Sequence, residues 1–225
     1  MRLSISKDLC GILGKALISA NEFNHKNFID MVLLVAVVVG LIGGYLRARL
    51  SGRLYRTVNI KLIGLVFLAY LPQFFAFYLP ATRSLLPNAW VPYILVVSQA
   101  LLLIFAWANR KLPGFWLLGL GLLSNFTVIL LNGGLMPLQP QIAQQLTLPG
   151  SESLLKEGKR VGFGKDILLK KEDTILWFLG DIFMLPSFLN YPLAFSIGDI
   201  FIGVGAFWLL WQLGGPHHIY EEVSP

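Results

Sequence analysis

Two copies of the tetrapeptide Gly-Asp-Ile-Phe lie eighteen residues apart, and their aspartates, Asp181 and Asp199, are the residues best suited to chemistry. Inserting an ionised acid at membrane depth costs about 2.5–3.5 kcal/mol of free energy on insertion scales. A carboxylate among apolar residues is therefore a candidate functional group. Two carboxylates in a partly dry site share one proton, so that one acid polarises a carbonyl while the other activates water. The pair therefore predicts the dyad of an aspartyl protease.

A structural role for the same carboxylates stays open. An aspartate that follows glycine at the start of a helix is a frequent cap or turn residue, which binds backbone amides and does no chemistry. Ser196, three residues before Asp199, is expected to orient one carboxylate of a dyad. Asn125 and Asn132 are further candidate binding residues, although either amide would equally serve to bind a neighbouring helix or to end its own.

The residue inventory excludes several other kinds of site. The chain has one cysteine and three histidines without the spacing of metal ligands, so we expect no metal and no intrachain disulfide. It has no Walker loop, no glycine-rich dinucleotide fingerprint and no nucleophile elbow, so we expect no cofactor. The net charge of +6 comes from basic residues beside apolar stretches, where they would face lipid headgroups, and nucleic acid is not an expected partner.

The elements that carry the candidate residues are predicted to be membrane helices. Hydrophobic residues make up 56% of the 225-residue chain and charged residues 13%, against about 45–50% and about 25% in soluble domains. Long stretches, such as 84–109 and 112–151, contain no charge. The pattern predicts an all-α integral membrane protein. We expect five transmembrane helices, six being the alternative, at 31–46, 60–79, 92–108, 112–131 and 193–213.

The remaining segments are assigned around these spans. Residues before Met31 are expected to form an extension, which is either an interfacial helix or, if translation starts at Met31, not translated. Residues 175–191 contain too short an apolar run to cross a bilayer and predict a re-entrant or surface-lying segment. The predicted parts are an extension at 1–30, a four-helix membrane part at 31–131, a polar lobe at 132–174, the re-entrant segment with the last helix at 175–213, and a polar tail at 214–225.

Two local patterns predict how parts of the chain pack. Gly40 and Gly44 form a small-xxx-small pair in the first span, which would let a second helix approach closely. Within the lobe, the alternation of residues around 160–171 predicts a short hairpin that lies against the headgroups.

The basic residues predict the orientation. The loop at 47–61 carries four arginines and one lysine directly after the first span. Because positively charged short loops stay on the inner side, we expect this loop and the C-terminus to be cytoplasmic and the lobe at 132–174 to be extracytoplasmic. The expected partners are then the lipid bilayer and either other membrane proteins or a membrane-anchored peptide.

Most of the chain resembles a known family. Four features carry the resemblance: the arginine-rich first loop, Asn-Gly-Gly-Leu-Met-Pro at 132–137, Leu-Gly-Asp at 179–181 and Ser-Ile-Gly-Asp at 196–199. Over roughly 31–213 the chain resembles an uncharacterised bacterial family of small multispan membrane proteins, a domain of unknown function. The resemblance implies the inner membrane of a bacterium and no particular activity.

A second resemblance is local and covers 179–205. The motif at 195–205, which contains Asp199, is similar to Phe-Asn-x-Ala-Asp-x-x-Ile-x-x-Gly at the start of the last helix of lipoprotein signal peptidase (signal peptidase II). That family has a second catalytic aspartate upstream, where this chain has Asp181. The resemblance implies a di-aspartate site at the outer face. The chain departs from the motif at Ser196, which replaces its asparagine, and it lacks the family's Gly-Asn-x-x-Asp-Arg element.

Two functions are therefore expected from the sequence. The first is a bacterial inner-membrane protein of unassigned activity that serves as an accessory or interaction subunit. The alternative is an intramembrane aspartyl protease that cleaves a membrane-anchored peptide through Asp181 and Asp199. Close approach of the two carboxyl groups would favour the protease, and separate capping roles would favour the accessory protein.

Overall fold

The computed structural model describes residues 29–83, 85–147, 155–185 and 193–216; the predicted extension before residue 29 and the tail beyond 216 lie outside these ranges. The described chain is mostly helical. Its helices are α1 Ile29–Leu50, α2 Gly64–Gln73, α3 Pro80–Arg83, α4 Val91–Ala108, α5 Phe115–Leu131, α6 Pro140–Leu146 and α7 Ile197–Leu213. Helix α2 contains Pro72, which has no N–H to donate, and passes into a π-helical turn over Phe74–Tyr78.

The five longer helices of the described chain, α1, α2, α4, α5 and α7, each overlap one of the five predicted spans, although α2 has only ten residues. Within the described ranges, two stretches are long and apolar enough to cross a membrane, Leu33–Leu50 and Asn88–Ala108. The other apolar helices are shorter, with 10–17 residues, at Gly64–Tyr78, Phe115–Leu131 and Ile197–Leu213. A 17-residue helix rises about 25 Å against about 30 Å of hydrocarbon, so these three would need their flanking residues to cross.

The helices pack side by side in a row. Helix α7 lies between α1 and α5, α5 then contacts α4, and α4 contacts α2. Apolar side chains fill the space between α4, α5 and α7, where Phe105, Phe115 and Leu209 are buried and the two phenylalanine rings meet edge to face. The row places α7, which carries Asp199, against a neighbour on either side.

Glycines allow the two closest helix contacts. A Cβ at Gly44 of α1 would overlap the carbonyl oxygen of Leu210 in α7, and one at Gly40 would lie 3.1 Å from the Cα of Phe207. This confirms the packing role predicted for the Gly40 and Gly44 pair. On the other side of α7, a Cβ at Gly121 of α5 would overlap the carbonyl oxygen of Gly198. Without a side chain at these positions the two helix backbones approach closely and gain van der Waals contact.

The lobe is built from two small sheets and α6. Strand β1, Met136–Leu138, pairs in parallel with β2, Asp166–Leu168. Strand β3, Phe183–Met184, pairs antiparallel with β4, Ala194–Phe195. A small apolar core joins them, with Leu138, Ala143, Leu146, Leu168 and Ala194 buried.

The hairpin predicted around 160–171 is present. Arg160 and Ile167 form an antiparallel bridge, and the backbone N–H of Leu168 donates to the carbonyl oxygen of Lys159 at 3.0 Å. Sequence alternation therefore identified the local structure of this charged segment.

The segment predicted as re-entrant differs from a membrane helix in its described part, 175–185. It forms a 3-10 turn over Trp177–Leu179 and then β3, and the N–H of Asp181 donates to the carbonyl oxygen of Pro137 at 3.2 Å. It thus makes backbone hydrogen bonds with β1 and β4 of the lobe. The lobe therefore includes residues on both sides of the predicted boundary at 174.

The helices expose large apolar side chains on their outer surfaces. Leu34 is 59% exposed, Phe67 63% and Trp116 68%, and many further leucine, valine and isoleucine side chains share this exposure. Monomeric soluble proteins rarely carry continuous apolar surface on this scale. The surface and the two long apolar helices together support membrane association.

The glycine contact between α5 and α7 can be tested with one methyl group. We expect Gly121→Ala to destabilise the protein by about 1–3 kcal/mol, because the new Cβ overlaps Gly198 and lies 2.8 Å from the backbone nitrogen of Ile202. Gly119→Ala on the same helix is the matched control, since its Cβ lies 3.6 Å from that of Ala106, an ordinary contact. Thermal unfolding in detergent measures both, and equal midpoints for the two variants would contradict the packing described.

Candidate functional site

Asp199 lies in the first turn of α7, where a capping box begins the helix. The backbone N–H of Asp199 donates to Ser196 Oγ at 3.0 Å, and the backbone N–H of Ser196 donates to Asp199 Oδ2 at 2.9 Å. This reciprocal pair satisfies two N–H groups that have no partner inside the helix. Ser196 thus holds the Asp199 carboxylate as the N-cap residue of α7.

Asn125 of α5 joins the same network across the helix interface. Its Nδ2 donates to Asp199 Oδ1 at 2.9 Å, and its Oδ1 accepts the hydroxyl proton of Ser196 at 3.0 Å. Gly198 makes this approach possible, since a Cβ there would overlap the amide of Asn125. Both oxygens of the Asp199 carboxylate therefore accept a hydrogen bond from the protein.

Asp181 is almost completely buried, at 2% exposure, and its partner is Lys165. Lys165 Nζ lies 2.9 Å from Asp181 Oδ2 and 3.9 Å from Asp166 Oδ1. The second oxygen of Asp181, Oδ1, is buried and has no hydrogen-bond partner among the described residues. A buried charge without its counter-ion is strongly destabilising, so Lys165 is the residue that makes an ionised Asp181 tolerable here.

The charges around Lys165 are unbalanced, with three carboxylates near one ammonium group. Burial by itself lowers the pKa of Lys165, but attraction by Asp181, Asp166 and Asp199 outweighs it and the net pKa is raised. Burial raises the pKa of Asp181 to about 7, attraction by Lys165 opposes this, and repulsion by Asp199 and Asp166 adds to it. Lys165 is therefore positively charged at neutral pH, and the pKa of Asp181 is well above the ordinary value of an aspartate.

The structure brings Asp181 and Asp199 to the same junction, where the lobe meets the N-terminus of α7. Asp181 comes two residues before β3 and Asp199 four residues after β4, and these two strands pair with each other. The two carboxylates repel each other through space. Each nevertheless hydrogen-bonds its own partners, Lys165 for Asp181 and Asn125 with Ser196 for Asp199.

Comparison with protein families matches residues 57–211 to a family of unknown function, DUF5317, and the match covers well over half of the chain. The chain belongs to the DUF5317 family. The uncharacterised family expected from the sequence is thereby confirmed. No curated protein and no solved structure matches the chain.

The matched region of this DUF5317 protein contains the whole network of Asn125, Lys165, Asp181, Ser196 and Asp199. Helix α1 lies before it, so the family region begins after the first of the long apolar helices. The site therefore belongs to the family part of the chain.

The third candidate polar residue, Asn132, has a separate role. Its Nδ2 donates to the carbonyl oxygens of Val128, at 2.8 Å, and of Ile175, at 2.9 Å. Its Oδ1 accepts the backbone N–H of Ile175 at 3.0 Å. Asn132 ends α5, which is one of the two roles that its sequence context left open, and it ties the start of the 175–185 segment to that helix.

Lys165 is the site residue that sequence reasoning missed. It belongs to a run of charges predicted to face the headgroups, and nothing in its neighbours separates it from Lys159 or Lys170. The pairing of β1 with β2 carries it to the buried end of the lobe. Within the described ranges no three His, Cys, Asp or Glu side chains converge as metal ligands, and the ammonium group at the centre of the acids would repel a cation.

The burial of Lys165 predicts a pH-dependent effect of its removal. The folded-state pKa of Asp181, about 7, lies above its ordinary 3.8, so protonation favours the folded state and the penalty for ionisation grows as the pH rises. Lys165→Met leaves the ionised carboxyl unpaired. We expect a loss of about 3–5 kcal/mol at pH 8 and a clearly smaller loss at pH 5, where Asp181 is protonated with or without the lysine.

The matched control is Lys170→Met. Lys170 Nζ lies 2.8 Å from Glu157, nearly the same separation, but both side chains are about half exposed and water screens them. We expect little change at either pH. Thermal unfolding at the two pH values measures both variants, and an equal loss at pH 5 and pH 8 for Lys165→Met would show that the lysine acts only through packing.

Proposed function

We propose that this DUF5317 protein is an integral protein of the bacterial cytoplasmic membrane with five membrane-spanning helices. The lobe and the arginine-rich loop lie at opposite ends of the helices. The lobe comes between α5 and α7 and so lies at the N-terminal end of α7, whereas Arg56 contacts the C-terminal end of α7. The loop at 47–61 is cytoplasmic and the lobe is extracytoplasmic in this proposal, because basic short loops are retained inside. The exposed apolar surface of the helices supports the embedding.

The activity that the geometry supports best is that of an accessory or interaction subunit. The observation that carries it is the occupation of both oxygens of Asp199, Oδ1 by Asn125 and Oδ2 by the Ser196 amide. Each oxygen is thus held by one structural hydrogen bond, which leaves only its second lone pair for a water. Through these bonds Asp199 holds α7 to α5 and begins the helix.

The outer surface of the lobe offers the contact area such a subunit needs. Trp177, Phe178 and Phe183 are 37–44% exposed, and Ile175 beside them is 53% exposed. Lys171 Nζ lies 3.8 Å from the centre of the Trp177 ring. Aromatic residues are enriched in protein interfaces, and at this level of the bilayer they would meet a second membrane protein.

The alternative proposal is an intramembrane aspartyl protease acting on a membrane-anchored peptide. One observation favours it: Asp181 Oδ1 is buried and without a partner among the described residues, next to a second carboxylate that repels it. A raised carboxyl pKa beside another acid is the arrangement that a dyad requires. In this mechanism a water would have to reach a remaining lone pair of the Asp199 carboxylate.

Two substitutions separate the proposals. We expect Asp199→Asn to cost about 1–3 kcal/mol of stability, because one buried donor loses its acceptor, and to leave function in proportion to the amount of folded protein. Phe178→Ser on the lobe surface is expected to abolish function at normal abundance. Complementation of a deletion strain, with abundance measured in the membrane fraction, gives both readouts.

The control for Phe178→Ser is Lys156→Gln, an exposed substitution elsewhere on the lobe. The accessory role would be contradicted if Asp199→Asn, present at near-normal abundance, lost all function while Phe178→Ser retained it. That result would favour the dyad, and accumulation of an uncleaved membrane-anchored peptide would then identify the substrate class.

A further inference from the structure

A pocket of about 870 Å³ lies at the end of the molecule opposite the carboxylate network. Three chain segments meet around it: the loop at 56–58, the turn and first residues of α5 at 110–117, and the end of α7. The N–H of Lys61 donates to Asn109 Oδ1 at 2.8 Å and Asn109 Nδ2 donates to the carbonyl oxygen of Lys61 at 2.9 Å, so the loop and the turn are joined. The pocket is thus framed by fixed backbone.

Among the described residues, the charged groups that line the pocket are all cations. They are Arg56, Arg110 and Lys111, and no acid of the described ranges is among the lining residues. Arg56 is held in the wall, where its Nη2 donates to the carbonyl oxygen of Gln212 at 2.7 Å. Arg110 lies with its guanidinium 4.3 Å from the centre of the Trp107 ring and donates through Nη1 to that residue's carbonyl. Arg110 keeps further N–H donors, and Lys111 is exposed.

The rest of the wall is mostly apolar and continues onto the outer surface of the helices. Trp116 of α5, which is 68% exposed, and Trp208 of α7, which is 46% exposed, lie on this wall with Leu117. Tryptophan at this position is typical of the membrane interface, where the ring is in contact with headgroups and acyl chains together. A free inorganic anion would leave this apolar surface in water.

We propose that the pocket binds an anionic phospholipid, with its phosphate between Arg110 and Lys111 and its acyl chains along Trp116, Leu117 and Trp208. This inference rests on the membrane embedding proposed above. The occupant is chosen by the combination of cations without acids, which requires an anion, and an apolar wall open to the bilayer, which requires a hydrocarbon chain. Arg56 stabilises the wall through α7 and does not need to reach the phosphate.

The test uses the full chain purified in a neutral detergent. Phosphatidylglycerol, phosphatidylcholine and inorganic phosphate are titrated separately, with thermal unfolding and native mass spectrometry as readouts. We expect phosphatidylglycerol to raise the unfolding temperature and to remain bound in the mass spectrum, and the other two to do neither. Equal effects of the two lipids, or an effect of inorganic phosphate that matches phosphatidylglycerol, would overturn the proposal.

Charge-removing variants locate the site. Lys111→Gln, at an exposed position that leaves the fold intact, is expected to weaken phosphatidylglycerol binding about fivefold, and the double variant with Arg110→Gln about thirtyfold. Arg49→Gln, an exposed arginine outside the pocket, is the matched control and is expected to bind as the unchanged protein does. Unchanged binding by Lys111→Gln and the double variant would overturn the proposal.

Failure of the lipid site and failure of the membrane proposal give different results. Carbonate washing of cell membranes shows whether the chain is embedded, independently of any lipid preference. A chain released by carbonate would contradict the proposed membrane protein itself. A chain retained in the membrane but without preference for phosphatidylglycerol would contradict only the lipid site.

Discussion

The hydrogen bonds accepted by Asp199 determine where the helix row meets the lobe. One carboxylate begins α7 through Ser196 and joins it to α5 through Asn125, and Gly198 and Gly121 remove the side chains that would keep these groups apart. An acid in apolar surroundings needs donors for both oxygens, so the position of α7 relative to α5 follows from satisfying one side chain. Strand β4 directly precedes this point, and the lobe is attached there.

The buried ion pair extends the same requirement into the lobe. Lys165 comes from the hairpin and Asp181 from the segment after Trp177, and neither would be tolerated in this interior alone. Three acids around one ammonium group leave an excess of negative charge, which burial resolves by raising the pKa of Asp181. Asp181 is therefore repelled by Asp199 and still paired with Lys165. The network is thus suited to holding the lobe on the helices.

The two ends of the molecule have opposite character. The lobe end concentrates buried acids around one lysine, whereas the other end has Arg56, Arg110 and Lys111 around a pocket whose described lining residues include no acid. Such a separation of charge suits a protein whose two ends face different sides of a membrane. The exposed apolar side chains of the helices lie between the two ends. The proposed orientation and the proposed lipid site both rest on the basic residues at one of these ends.

Composition and spacing alone identified the helices, because long apolar runs bounded by charged residues are typical of membrane helices, and the observed α1, α4 and α5 lie close to the predicted limits. They also identified Gly40 with Gly44 as a helix contact and Ser196 as a partner of Asp199, since both are short-range patterns along one helix. The role of Lys165 was decided only by tertiary structure. Its burial depends on the parallel pairing of β1 with β2, a contact between residues about thirty positions apart that leaves no local pattern. For the same reason the segment 175–185 resembles a membrane element in sequence, whereas its backbone bonds to the lobe make it part of the lobe.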